Sequence, residues 1–119
     1  MIKNIMNIDN FSIKYPEYFK TIQDENEFFY KGFINDIEVS YKGETYVLNF
    51  FSLLRVEQEF KSILEFGGSC FFERNLIIVE DITRDTIYNS IKYIINTFGD
   101  FKHNFLNLSE QNKNNSVDI

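Results

Sequence analysis

The chain has 119 residues and a mass of 14.2 kDa, the size of one domain that can build a single core without staples. Eighteen acidic against twelve basic residues give a net charge of −6, the wrong sign for a domain that grips phosphates and the right one for a basic protein partner. Fourteen Phe and seven Tyr supply a large core or contact face, whereas one His and one Cys leave little hardware for acid–base or metal chemistry.

Residues 1–27 are ambiguous. Phe11, Ile13 and Tyr15 alternate with polar neighbours as in a short strand, which Pro16 ends or places at an edge. Glu17 to Ile22 allows a helical turn, and Asp24-Glu25-Asn26-Glu27 reads as a charged loop. Residues 28–51 read as a hairpin. Phe29, Phe33, Ile37, Val39 and Tyr41 share one parity, with Asp36, Glu38 and Ser40 on the other, and Lys42-Gly43 supplies the turn. On the return strand from Glu44 to Phe51 both parities carry apolar groups, as in a central strand.

The spacing of Val56, Phe60, Ile63 and Leu64 predicts an amphipathic helix over residues 53–66, with Ser52 as its N-cap and Gly67-Gly68 as its stop. Residues 69–79 read as extended, with Leu76-Ile77-Ile78-Val79 as a buried strand. The pattern leaves open one bent strand or a hairpin about Arg74-Asn75. A second helix is predicted over 84–98. Thr83 caps it, Ile82 staples to Ile87, Asp85 complements the dipole, and Gly99 ends it. The segment from Phe101 to Leu108 allows a last short strand. The polar stretch from Leu108 to Ile119 is expected to fray, leaving 1–107 as the domain. This order predicts an α+β fold, a mainly antiparallel sheet with two helices packed on one face.

Met1-Ile2-Lys3-Asn4-Ile5 lacks the apolar run of a signal peptide, and no stretch approaches the ~18 apolar residues of a membrane span. Cys70, the lone cysteine, cannot close an internal disulfide, which suits a reducing compartment. The chain therefore reads as soluble and cytoplasmic. His103 reads as an exposed loop or end-strand residue, and one His cannot build a His-based metal site. Cys70, beside Phe71 and Phe72, reads as a small core residue. Gly67-Gly68-Ser69 lacks the lysine and the spacing of a phosphate loop, and it closes a helix instead of opening one. Glu73, Glu80, Asp81 and Asp85 lie close enough in sequence to cooperate as acid and base, but in no metal-binding spacing. No catalytic residue, cofactor or metal is expected.

What stays unassigned is acidic. Residues 1–60 hold ten acids against six bases, and 61–119 hold eight against six. Asp24, Glu25, Glu27, Asp36, Glu38, Glu44, Glu57 and Glu59 are the candidate partner-binding residues, since clustered carboxylates steer and pair with a cationic partner. The hairpin Ile37-Glu38-Val39-Ser40-Tyr41-Lys42-Gly43-Glu44-Thr45-Tyr46 and the segment Asn75-Leu76-Ile77-Ile78-Val79-Glu80-Asp81-Ile82-Thr83 resemble the small α+β immunity proteins of bacterial polymorphic toxin and contact-dependent growth inhibition systems. The resemblance covers Phe28 to Ile95. It implies a cytoplasmic protein without enzymatic activity that neutralises a cognate toxin domain, often a basic nuclease, and it is compatible with a homodimer. The alternatives are an oligomeric nucleic-acid-binding sheet protein, which needs a positive patch, and a small enzyme using paired carboxylates.

Overall fold

In a computed structural model, residues 10–109 are described. The expectations on residues 1–9 and on the tail from 110 onward lie outside them. The elements are β1 (Phe11–Lys14), α1 (Ile22–Lys31), β2 (Phe33–Tyr41), β3 (Glu44–Ser52), α2 (Leu53–Glu65), β4 (Leu76–Val79) and α3 (Arg84–Phe98). The four strands form one sheet in the order β1-β2-β3-β4. The first two pairings are antiparallel and the last is parallel, giving the α+β class with a mainly antiparallel sheet.

The tight connection between β2 and β3 is the expected one. Lys42 and Gly43 both adopt positive φ, 51° and 80°, matching a primed two-residue turn whose twist suits the strands. β3 is central, with β2 on one side and β4 on the other. Within β2 the register shifts between Ile34 and Ile37, at a bulge where Asp36 has φ 65°. That extra residue breaks the single parity expected along β2. Ile34, Ile37, Val39 and Tyr41 all reach the core, whereas Phe33, across from Phe51, turns to the other face.

The charged loop expected at 24–27 is instead the first half of α1, and Phe29 lies in that helix, not on a strand. The local chemistry explains the difference. Thr21 and Asp24 form a reciprocal capping box, in which the Thr21 side chain accepts from the Asp24 N–H and Asp24 accepts from the Thr21 N–H. Gly32 closes the helix in the left-handed conformation, φ 80°. A Cβ there would sit 2.9 Å from the Ser52 hydroxyl, so this corner needs glycine for space as well as for φ.

The core lies on one face of the sheet. Ile34, Ile37, Val39, Tyr46, Leu48 and Phe50 meet Ile87, Ile91, Ile94 and Ile95 of α3, with Phe19 and Phe28 of the α1 region and Phe101 at the margins. Two helices thus cover the core face, but they are α3 and α1. α2 lies against the opposite face, where Arg55 stacks 4.6 Å over Phe33. No α2 residue is fully buried, so its apolar stripe is only half used. The α3 boundaries follow the sequence signals: Thr83 accepts from the Thr86 N–H, Ile82 and Ile87 are both fully buried, and Gly99 caps the end.

Two further expectations are corrected. Residues 69–75 make no strand; β4 begins only at Leu76, after a turn at Arg74-Asn75 in which Asn75 has φ 50°. Residues 101–107 make turns and a single bridge, Asn107 to Tyr46, in place of a strand. The buried Asn75 side chain holds that segment down. It donates to the Val47 and Leu106 carbonyls at 3.1 and 2.8 Å and accepts from the Leu106 N–H at 3.0 Å. These side-chain bonds satisfy an irregular backbone, so no ladder is needed.

Candidate functional site

The eight candidate carboxylates do not form one surface. Asp24, Glu25 and Glu27 share α1, and Asp36 joins them through Tyr18, whose ring lies 5.4 Å from Phe28 of α1. Tyr18 donates to the Asn35 carbonyl at 3.1 Å. Its phenol is pushed up from the ordinary tyrosine value, first by burial and then by the nearby Asp36 carboxylate. Glu57 and Glu59 lie on α2, on the other side of the sheet. Glu38 projects from that same face, directly across from Lys14 in the register. Glu44 stands at the hairpin end and accepts from the Asn107 amide at 2.9 Å.

Several of these groups already serve the fold. Asp24 accepts from the Lys20 and Thr21 N–H groups at 2.7 and 2.9 Å, which holds its carboxyl below the usual value. Glu25 accepts from the Arg84 N–H at 2.6 Å and pairs with the Arg84 guanidinium at 3.7 Å, tying α1 to the start of α3. Glu27 pairs with Lys31, and Glu59 with Arg55 at 2.7 Å. Asp36, Glu38 and Glu57 have no ion pair or side-chain hydrogen bond among the described residues.

The α1 side carries more than acid. Between α1 and the first turn of α3 runs an open groove of about 580 Å³, lined by Glu25, Asn26, Phe29, Tyr30, Thr83 and Asp85. Phe29 and Tyr30 are exposed and stack edge to face at 5.8 Å. Glu25 and Asp85 line the groove itself, and Asp24 and Glu27 share α1 with Glu25, against Lys31 at the end of α1 and Arg84 at the start of α3. Exposed rings beside carboxylates suit a guanidinium or ammonium group, which gains from both the π-face and the ion pair. Phe29, Tyr30 and Asp85 line this groove but are not among the partner-binding candidates read from the sequence, where Asp85 enters only as a helix-entry or acid–base carboxylate. The signal for them was the capping box at Thr21, which places Phe29 and Tyr30 on a helix beside Glu25 and Asn26.

Arg84 holds this corner together. Its guanidinium donates to the Phe19 carbonyl at 2.8 Å and lies 4.5 Å over the Phe19 ring and 5.1 Å over Tyr15. Burial pushes the Tyr15 phenol up from its ordinary value, and the Arg84 charge offsets part of that rise.

The other chemistry-bearing residues are dispersed. His103 is exposed and lines a cavity of about 500 Å³ with Glu73, Arg74 and Lys102. Glu80 lines a groove beside β4, and Asp81 accepts from the Thr83 and Thr86 hydroxyls at 3.1 and 2.6 Å at the α3 entry. Cys70, expected in the core, is exposed, because the segment around it makes no strand. Among the described residues no group of three His, Cys, Asp or Glu is placed to hold a metal ion, and no helix is long and apolar enough to cross a membrane.

The chain is thus an α+β domain with a four-stranded mixed sheet and an acidic, aromatic groove between two of its helices. Comparison with protein-family models, with curated proteins and with solved structures gives no match.

Proposed function

We propose that this chain is a non-catalytic binding protein that captures a basic protein surface, and that its role is that of an immunity protein neutralising a cognate toxin domain. The observation that carries this reading is the α1–α3 groove, where the exposed rings of Phe29 and Tyr30 stand beside Glu25 and Asp85. An arginine or lysine of the partner enters the groove, and the surrounding carboxylates raise the encounter rate. Asp36, near Tyr18, extends the negative field beyond α1, whereas Glu38 points from the opposite face of the sheet. Glu25 contributes from a position fixed by Arg84, so its carboxylate is pre-organised at little entropic cost.

The test is association of the full chain with basic toxin domains of the nuclease class, followed by surface plasmon resonance over a range of salt. Binding is expected to slow as salt rises. Asp85→Lys with Tyr30→Ala is expected to weaken affinity by about a hundredfold, and Asp36→Lys to lower the on-rate more than it raises the off-rate. Unchanged affinity in Asp85→Lys/Tyr30→Ala refutes the groove. Binding insensitive to salt refutes the electrostatic reading.

A further inference from the structure

A four-stranded sheet has two edges, and this chain treats them differently. β1 carries Lys14 and runs into Pro16, both of which discourage a further strand. β4, the other edge, is Leu76-Ile77-Ile78-Val79, with no charge and no proline. The Asn49 N–H donates to the Asn75 carbonyl at 2.9 Å, and β4 then runs parallel to β3. Backbone direction alternates along a strand. The groups of Asn75 and Ile77 therefore turn toward β3, and the N–H and C=O of Leu76 and Ile78 point outward. No fifth strand lies there among the described residues.

The surface on both sides of this edge is open and carries apolar side chains, bordered by Glu57 on α2 and by Glu80, Thr86, Asn89 and Ser90 in the groove beside α3. Arg55, which stacks over Phe33 and donates to the Lys31 carbonyl, marks the flank of α2 that faces β2. At about 100° per residue, Leu53, Phe60 and Leu64 fall on the opposite flank, toward β4. On the core side, Tyr93 of α3 lines a groove of about 410 Å³ along β4 with Ile77, Ile78 and Ile94. Leu53, Phe60, Leu64, Ile78 and Tyr93 are between 40% and 64% exposed. Together they offer on the order of 600 Å², against about 800 Å² per partner in a standard interface, and the strand backbone and flanking atoms supply the difference.

We infer that β4 pairs antiparallel with β4 of a second copy of this chain, joining two four-stranded sheets into one. A two-fold axis at Ile78 sets this residue opposite its own counterpart, uses the outward N–H and C=O of each, and keeps both core faces on the same side. A second copy fits because the strand is uncharged and five exposed apolar or aromatic side chains lie on or beside it, a patch that can meet its own two-fold mate. The net charge of −6 on each copy opposes approach, so salt strengthens this association. That is the opposite sign to capture of a basic partner, and the inference stands apart from that reading.

Sedimentation equilibrium of the full chain tests it. The expected mass is twice 14.2 kDa, with tighter association at higher salt. Ile78→Lys sets two ammonium groups against each other at the axis and yields the monomer, while Ser12→Lys on the β1 edge leaves the dimer intact. Should Ile78→Lys fail to fold by circular dichroism, Tyr93→Glu on the exposed side of α3 serves instead, weakening the dimer by about tenfold. Hydrogen exchange at the Ile78 amide slows as protein concentration rises. Three results overturn the inference: a monomeric wild type, a dimer indifferent to Ile78→Lys and Tyr93→Glu, or a dimer whose Ile78 amide exchanges at the monomer rate.

Discussion

Replacing Arg84 by Met keeps most of the side-chain stem against Phe19 and Tyr15 and removes only the guanidinium. The loss can be built from the contacts. The charged hydrogen bond to the Phe19 carbonyl at 2.8 Å contributes about 1.5–3 kcal/mol. Stacking over Phe19 and Tyr15 adds roughly 0.5–1 kcal/mol for each ring. The ion pair with Glu25 joins side chains 32% and 20% exposed, so solvent screening leaves it at most about 1 kcal/mol. Allowing for partial redundancy, Arg84→Met should destabilise the fold by roughly 3 kcal/mol, read from the urea midpoint at constant slope. The Tyr15 phenol, no longer offset by a nearby cation, should titrate higher still in ultraviolet absorbance. A double-mutant cycle with Glu25→Gln isolates the ion pair and should give a coupling below about 1 kcal/mol. A loss under about 0.5 kcal/mol in Arg84→Met, with Tyr15 unmoved, would show that this guanidinium does not hold α1 to α3.

Asn75→Ala removes three side-chain hydrogen bonds and sets alanine at φ 50°. It should cost about 3–5 kcal/mol in chemical denaturation, and Asn75→Asp should do no better, because its carboxylate faces two carbonyls. The lowered Asp24 carboxyl contributes stability that is present above its ordinary value of 3.8 and lost as pH falls through its folded value. Asp24→Asn should therefore flatten the acid limb of the stability curve, measured by circular dichroism. Tyr15 and Tyr18 act at the other end. Their raised values leave stability intact below pH 10.0 and remove it as pH rises through the folded values, so Tyr18→Phe should make the alkaline limb shallower. Cys70, exposed on its loop, should react with a thiol reagent in the native protein at close to the rate of the unfolded chain.

Where the chain's local signals are strong, sequence and structure agree. The Lys42-Gly43 turn, the Ser52 and Thr83 caps, the Ile82–Ile87 staple and the Gly99 stop rest on backbone chemistry within a few residues. The helix at 22–31 was legible in principle through Thr21 and Asp24, but four charged or amide residues in a row resemble a loop until the cap is recognised. The bulge at Asp36 was not legible. An extra residue in β2 is set by how Asn49 reaches across, accepting from the Asp36 N–H and donating to the Arg74 carbonyl. Residues 101–107 carry strand-like aromatics, yet turn bonds to the Phe101 carbonyl and the Asn75 side chain on the Leu106 N–H and C=O hold them without a ladder.

Composition, periodicity and capping residues by themselves determined the α+β class, the hairpin, the central place of β3 and the two best-signalled helices, because those depend on contacts between near neighbours. Only the tertiary structure decided which acids stand together, and it did so by placing α1 and α2 on opposite faces of the sheet. It also decided that, among the described residues, nothing of the chain covers the β4 edge and the α2 stripe is only half buried, since burial depends on what else the chain can bring to a face. A carboxylate's partner, whether Arg84 for Glu25 or Arg55 for Glu59, is a matter of distance in space, and distances of that kind are written into a sequence only through the fold.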